Sequence, residues 1–543
     1  MNILQLNSVS RFVFIVVFGS INLLSVAQTE NPIIPAIKKE VDKNLIELKS
    51  DGLLPPFFIS YAVVDQHQIK ITSSFGAVTE ANETRDLWGM PFVLVGSFQL
   101  NNMRMDTERT SSSAITLDND LSGIGVSIRK DLDVKYQSAV KAYQKKMGIL
   151  SRTQLTPEEQ ARPDYNKTPV VNLILPPEKQ NMDIKYWETY ARTASAVANK
   201  YPEIVKTNVS VEIINGMIYY YDTEGSQFAV PSIDCRIDFT AQTTTADGEE
   251  LWEYISIARS STDRLPDMES FATECEEKIV HLLQLKNAPL VDYNYVGPVL
   301  CEREGLVKLI FFTFFNNRMM VYNRFLDTTS KLTIVTFEPV MGEDFISNQL
   351  TFKSLSGTKM YGGQVLDGYF PIDGEAVIPA EELVLIENGV LKNMLTSRVP
   401  GVKNQHSSGH SRITFNAHFS RPGKDTRPGV IQVTGRNMYP DADMKQELIK
   451  AARNAGLEYA YIIKDMSRSN EGTRIYVADG REELVRGIVL SSKNFNNKSF
   501  GKILGISDEE YFSTSGYKGA MTTYITPRSM IFEELELSIS NKQ

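Results

Sequence analysis

Two stretches limit the folds open to this chain more than anything else in it: FFISYAVVDQHQIKITSSFGAV at Phe57–Val78 and VSVEIINGMIYYYDTEGSQFAV at Val209–Val230. Both are dense in β-branched and aromatic residues, which suit a pleated, half-buried surface. The first reads as two paired strands, FFISYAVVD and HQIKITSSFGAV. The second reads as a hairpin turning at Asn215-Gly216, a dipeptide suited to the positive φ angles of a two-residue turn. PFVLVGSFQLNNMRMD, from Pro91, adds a further strand. Helical spacing appears at Ile33–Leu48, Lys130–Met147, Tyr186–Lys200 and Leu265–Leu285; in the last, Asp267 and Glu269 stand in the first turn, where the helix dipole favours carboxylates. Prolines 157, 163, 169, 176 and 177 make Ser151–Pro177 an irregular excursion. Beyond Lys331 strands and turns prevail, apart from one helix at Met444–Asn454 that Gly456 ends. The fold class is therefore α+β. An N-terminal α+β domain with an antiparallel sheet and helices covers 28–288, and a β-rich C-terminal domain covers 289–543.

Residues 1–27 read as an export signal. Arg11 precedes the short apolar run Phe12–Leu24, and Ser25-Val26-Ala27 has the small-x-small pattern of a cleavage site, leaving Gln28 as the new N-terminus. The run is shorter than the ~20 residues of a spanning helix, and Asn22 interrupts it. The expectation is a periplasmic or secreted protein with no membrane span after signal cleavage. What remains is too long for a single core. The net charge of −9 gives no general attraction to nucleic acid, and Lys141, Lys145 and Lys146 read as a solvated helix face. Three cysteines, Cys235, Cys275 and Cys301, are too few for a disulfide scaffold in a chain of this length.

The segment VGPVLCEREGLVKLIFF, Val296–Phe312, raises a question of chemistry. A helical metallopeptidase motif sets two histidines on one face, with a glutamate beside the first to polarise the bound water. Here Glu302 follows Cys301, whose thiolate could replace the first histidine, but Leu306, five residues on, carries no lone pair. A buried cysteine near a helix start accounts for the same residues. Three of the five histidines, His406, His410 and His418, lie close together, but Ser407, Ser408 and Gly409 between the first two read as a flexible polar loop suited to contacting a ligand. There is no G-x-S-x-G elbow, no phosphate-cradling GK[ST] loop and no third glycine after Gly123-Ile124-Gly125.

Four stretches taken in order resemble the TldD/PmbA family, metallopeptidases and relatives once described as modulators of DNA gyrase. They are YVGPVLCE (Tyr295–Glu302), IENGVLKNMLTSRVPG (Ile386–Gly401), SSGHSR (Ser407–Arg412) and ITPRSMIFEELEL (Ile525–Leu537). The resemblance implies an α+β N-terminal domain and a β-rich C-terminal one. Active members carry H-E-x-x-x-H and a distant downstream cysteine as zinc ligands. Aligned on Glu302, Cys301 takes the first histidine position and Leu306 the second, and no cysteine follows Cys301. The chain thus resembles the branch without the motif. What this implies is a metallopeptidase homologue holding no zinc, acting as a non-catalytic subunit that binds extended peptide or pairs with a TldD-like paralogue or itself. Glu302 remains a candidate catalytic residue, and His406, His410 and Arg412 are candidate binding residues. Two alternatives stand: a metallopeptidase using Cys301, Glu302 and a loop histidine to hold zinc, and a structural or surface interaction protein.

Overall fold

A computed structural model describes residues 32–48, 52–105, 112–115, 122–321, 336–415, 421–466, 470–517 and 520–540. Residues 1–27, where an export signal is expected, and His418 lie outside these residues. The fold is α+β. In the first sheet the strands run in the order Ser113–Ile115, Ala77–Val95, Pro56–Ser74, Ile204–Asp222, Gln227–Thr244 and Asn172–Ile174, with Glu250–Arg259 also paired to Gln227–Thr244. All these pairings are antiparallel except that of Asn172–Ile174.

The long strands differ from the sequence expectation in an informative way. Phe57–Val78 does not turn at its middle. Pro56–Ser74 is one strand of 19 residues, because Gln66, His67 and Gln68 offer no turn chemistry. The chain reverses at Phe75 (φ 49°) and Gly76 (φ 79°), the paired positive φ angles of a two-residue hairpin. Pro91 lies inside the returning strand Ala77–Val95 rather than opening a new one. Among the described residues that strand is paired beyond its first neighbour only over Leu87–Gly89, and an edge of this kind tolerates proline. Asn215-Gly216 does not turn either: it lies within Ile204–Asp222, opposite His67 and Gln66. Gly216 is needed there for clearance, since a Cβ would sit 2.3 Å from the Asp65 carbonyl oxygen. The reversal comes after Asp222, whose carboxylate accepts the backbone N–H groups of Glu224 and Ser226.

Strand alternation gives this sheet two faces. Ile59, Tyr61 and Val63 meet helices Ile33–Glu47 and Ser122–Leu150, while Ile69 and Ile71, further along the same face, meet helices Ile184–Ala196 and Met268–Lys286. Asp267 is the N-cap of the last of these and accepts the Ser270 N–H at 2.8 Å. On the opposite face Ala62 and Val64 pack with Ile372, Ala376 and Ile413 from the second half of the chain. Lys146 is not solvated, as its spacing suggested. It is fully buried, ion-paired to Asp164, and donates to the carbonyls of Asn101 (2.8 Å) and Met103 (2.9 Å). The prolines of the irregular excursion flank a short helix, Pro157–Ala161, and the strand Asn172–Ile174.

Two further sheets enclose the largest apolar core. One runs Val390–Leu391, Leu383–Glu387, Leu350–Ser354, Val430–Gly435, Ala520–Pro527, Glu510–Tyr517. The other runs Glu482–Arg486, Glu471–Tyr476, Tyr459–Ile463, Tyr295–Glu302, Ser529–Ile539, Ile488–Leu490, with Ile503–Ile506 added to Ser529–Ile539. Phe352, Ile431 and Tyr524 from the first meet Val299, Cys301, Tyr461 and Phe532 from the second. Helix Met444–Asn454 covers the second sheet's outer face through Leu448 against Leu300 and Ile462. Among the described residues no helix is long and apolar enough to cross a membrane.

If Gly216 serves clearance rather than a turn, Gly216→Val lowers stability by ~1–3 kcal/mol through overpacking, whereas Asn215→Thr, a β-branched residue in a strand, shifts it by less than ~0.5 kcal/mol. Urea unfolding midpoints of the two variants measure both effects.

Candidate functional site

Cys301 and Glu302 end the strand Tyr295–Glu302, and the helix begins only at Arg303. Arg303 takes φ 46°, turning the chain sharply, and its N–H bonds the Arg528 carbonyl at 2.8 Å. Gly305 N–H bonds the Lys464 carbonyl at 2.9 Å, and a Cβ there would lie 2.5 Å from the Ile463 carbonyl oxygen, so only glycine lets the helix start this close to its neighbour. Alternation sends Leu300 toward helix Met444–Asn454 and Cys301 into the large core, where it is 0% exposed. Burial pushes its thiol well above the ordinary range, the reverse of what a metal-binding thiolate requires. Leu306 is also 0% exposed in that core.

Glu302 is half-buried and makes no capping bond to the helix. Burial raises its carboxyl, against the opposing charges of Lys464 and Arg303. Glu304 accepts the Tyr511 hydroxyl at 3.0 Å, which ties the helix to strand Glu510–Tyr517.

The Ser407–His410 segment is not the loose polar loop that its composition suggested. His406 is exposed, and its carbonyl accepts the Thr396 hydroxyl at 2.7 Å. His410 is 1% exposed. Its Nδ1 lies 2.8 Å from the Ser408 carbonyl oxygen, and its Nε2 lies 3.0 Å from Ser354 Oγ and 3.1 Å from Ser356 Oγ. This network assigns the Nδ1–H tautomer, with Nε2 accepting from a serine hydroxyl. Ser356 Oγ also accepts the N–H groups of Gly429 and Val430. With both nitrogens engaged, the imidazole is part of the core and is not free to join Cys301 and Glu302. Desolvation lowers its pKa to about 4. Arg412 donates to the Pro428 and Met521 carbonyls and lies over the Phe370 ring, 4.6 Å from its centroid, which also engages its guanidinium inside the fold.

A third group escapes the sequence reading. Glu253 on strand Glu250–Arg259, His281 on helix Met268–Lys286 and Glu471 at the start of strand Glu471–Tyr476 bring ligand-type atoms within 4.8 Å of one another. His281 Nδ1 is 2.7 Å from Glu253 Oε1, and Lys278 Nζ is 3.1 Å from Glu253 Oε2. His281 Nε2 stands 3.7 Å from Glu471 Oε2. The hydrogen bond to Glu253 raises the His281 pKa against burial. Burial of Glu253 is outweighed by its partners His281 and Lys278, which hold its carboxyl below the usual value. Glu471, desolvated and repelled by Glu253, is pushed up to about 7. The one signal in the sequence is Lys278, His281 and Gln284 at three-residue spacing on one helix face; their partners stand far off in the chain.

No protein-family profile matches the sequence, and no curated protein matches it. Solved structures do. A candidate modulator of a DNA gyrase from Thermotoga maritima MSB8 superposes with a TM-score of 0.59 at 13% identity, over 92% of this chain and 100% of that one. The chain has the TldD/PmbA fold. TldE from Thermococcus kodakarensis gives 0.56 at 11% identity over 93% of this chain and 100% of its own. A candidate modulator of DNA gyrase from Bacteroides thetaiotaomicron VPI-5482 gives 0.55 at 10%, covering 93% and 98%. The TldD/PmbA fold therefore spans nearly the whole chain, while the low identity leaves the chemistry to be argued from the residues.

His410 supplies a pH test. Its folded pKa is depressed, so the stability it contributes is present above the unfolded value of 6.5 and is lost as pH falls toward about 4. Between pH 7 and pH 4 the protein should lose roughly 3 kcal/mol from this residue. Urea unfolding at the two pH values should show a shallower acid loss in His410→Gln.

Proposed function

We propose that this chain is an exported TldD/PmbA-type protein that binds extended peptide, alone or as the non-catalytic partner of an active paralogue, without zinc hydrolysis of its own. The observation that carries this reading is the orientation of Cys301 and Leu306. At the positions that the resemblance assigns to zinc ligands, a thiol kept protonated by burial and a leucine both point into the large apolar core. Three or four converging ligands are needed to hold zinc, and a metal drawn to Glu302 would find neither neighbour able to help. His410, one of the loop histidines of the alternative reading, is already engaged by Ser354, Ser356 and Ser408.

Peptide recognition is supported by the sheet edges. Among the described residues, strand Ala77–Val95 is bonded on its outer side only at Leu87–Gly89, so against these residues its first half offers unpaired backbone donors and acceptors to an added strand. Glu80, Glu83, Arg85 and Asp86 along that strand are charged residues of the kind that keep edges from pairing indiscriminately, and Glu80 and Glu83 are held within the sheet by Lys70 and His67.

The purified chain should bind unfolded or extended peptides and release no cleavage products, with or without a chelator, and Glu302→Gln should behave as the parent. Chelator-sensitive cleavage abolished by Glu302→Gln would refute the proposal. N-terminal sequencing of the mature protein should begin at Gln28. Mixing with a TldD-like paralogue that keeps H-E-x-x-x-H, followed by mass measurement, tests the pairing.

A further inference from the structure

At the contact between helix Met268–Lys286 and strand Glu471–Tyr476, Glu471 Oε2 is buried and has no hydrogen-bond partner among the described residues; its ion-pair partner, His281 Nε2, stands 3.7 Å away, beyond hydrogen-bond reach. Lys278, the cation of the cluster, is committed to Glu253, and Lys445 is committed to Glu482. Beside Glu471 opens a cavity of about 240 Å³, lined by His281, Gln284, Lys464, Thr473 and Glu482 among others. An unbonded carboxylate oxygen facing an imidazole nitrogen across 3.7 Å, next to space for several waters, calls for a ligand.

We propose that His281 Nε2 and the Glu471 carboxylate form a binding site for a divalent transition-metal ion of the zinc class, with Glu253 as the residue that positions the imidazole. Two ligands each ~2.1 Å from a tetrahedral ion stand about 3.4 Å apart, so closing the present gap takes a shift of a few tenths of an ångström. Glu253 Oε1 accepts the Nδ1–H, which fixes the tautomer and turns Nε2 toward Glu471. A carboxylate behind a ligating histidine does this in many metal centres. Lys278 neutralises the far oxygen of Glu253 and so keeps that residue behind the imidazole rather than on the ion. The nitrogen–oxygen donor pair suits borderline cations better than calcium or magnesium, which prefer oxygen alone. The protein thus supplies two ligands where a resident zinc ion has three or four, and waters in the cavity fill the remaining positions, so the site is a weak, exchangeable one. The ion would displace protons from His281 and Glu471, so binding strengthens as pH rises.

This site uses none of the side chains of the Cys301–Glu302 corner, although Lys464 in the cavity wall also acts on Glu302, and the proposal does not depend on whether the chain hydrolyses peptides. The test is equilibrium dialysis of the full chain, first stripped with a chelator, against zinc chloride alone at pH 7.5 and 5.5, with thermal unfolding in parallel. One zinc ion per chain should bind at pH 7.5, more weakly at pH 5.5, and should raise the unfolding temperature. Glu253→Gln should weaken binding ~10–100-fold, and Glu471→Gln and His281→Ala should each weaken it by at least that much. Glu471→Gln keeps the side-chain shape and removes a buried charge, so it folds, and loss of zinc in that variant reports loss of a ligand. Glu302→Gln should leave binding unchanged. No stoichiometric binding, or binding that survives both Glu471→Gln and His281→Ala, overturns the site. Binding abolished only by Glu302→Gln would place the ion at the strand–helix corner, overturning this site and the non-catalytic reading together.

Discussion

The strand Tyr295–Glu302 is bonded along both edges, parallel to Tyr459–Ile463 and antiparallel to Ser529–Ile539, and with both ladders made it can neither slide nor rotate. A one-residue slip would bring Leu300 into the place of Cys301 and exchange the set facing the large core with the set facing helix Met444–Asn454. The register therefore decides which side chain looks into the large core and which toward helix Met444–Asn454. The helix that follows is pinned within its first turn by Arg303 and Gly305 to neighbouring carbonyls. Residues 301–306 form a rigid corner whose chemistry is set by the side chains it carries, and here Cys301 and Leu306 are core residues.

Two histidines show how far surroundings outweigh residue type. His410 is enclosed by hydroxyls and a carbonyl, all neutral, so protonation would place an unpaired charge in the interior. His281 is half-buried and faces Glu253 and Glu471, which make the imidazolium welcome. A count of histidines along the sequence favours the cluster at 406–418. The folded chain gives the more reactive surroundings to an isolated histidine on a helix.

Much of the architecture is readable from composition and spacing, because strands and helices with one buried face must repeat their apolar residues at two or at 3.6. The main helices lie close to where their periodicity sets them. Turn positions are harder. Asn215-Gly216 has ideal hairpin chemistry, but its glycine answers to a neighbouring strand's carbonyl, whereas Phe75, an unlikely residue at positive φ, makes the actual reversal. Lys146 looks like a surface residue until Asp164 and two carbonyls surround its ammonium. The Glu253–His281–Glu471 group depends on three elements meeting. No local pattern announces it.

The 19-residue strands also bear on how the molecule assembles. Each is about 60 Å long, and Pro56–Ser74 serves two separate helical layers on one face and the second half of the chain on the other. Its second neighbour, Ile204–Asp222, is synthesised much later, so the strand must wait with an apolar edge uncovered until that partner arrives. Long-range pairing of this sort carries a large loop-closure cost before any contact repays it, and it places this chain among slow folders with high contact order. The same sharing binds the helical layers into one cooperative unit, because neither can peel away without unzipping a ribbon that the other needs.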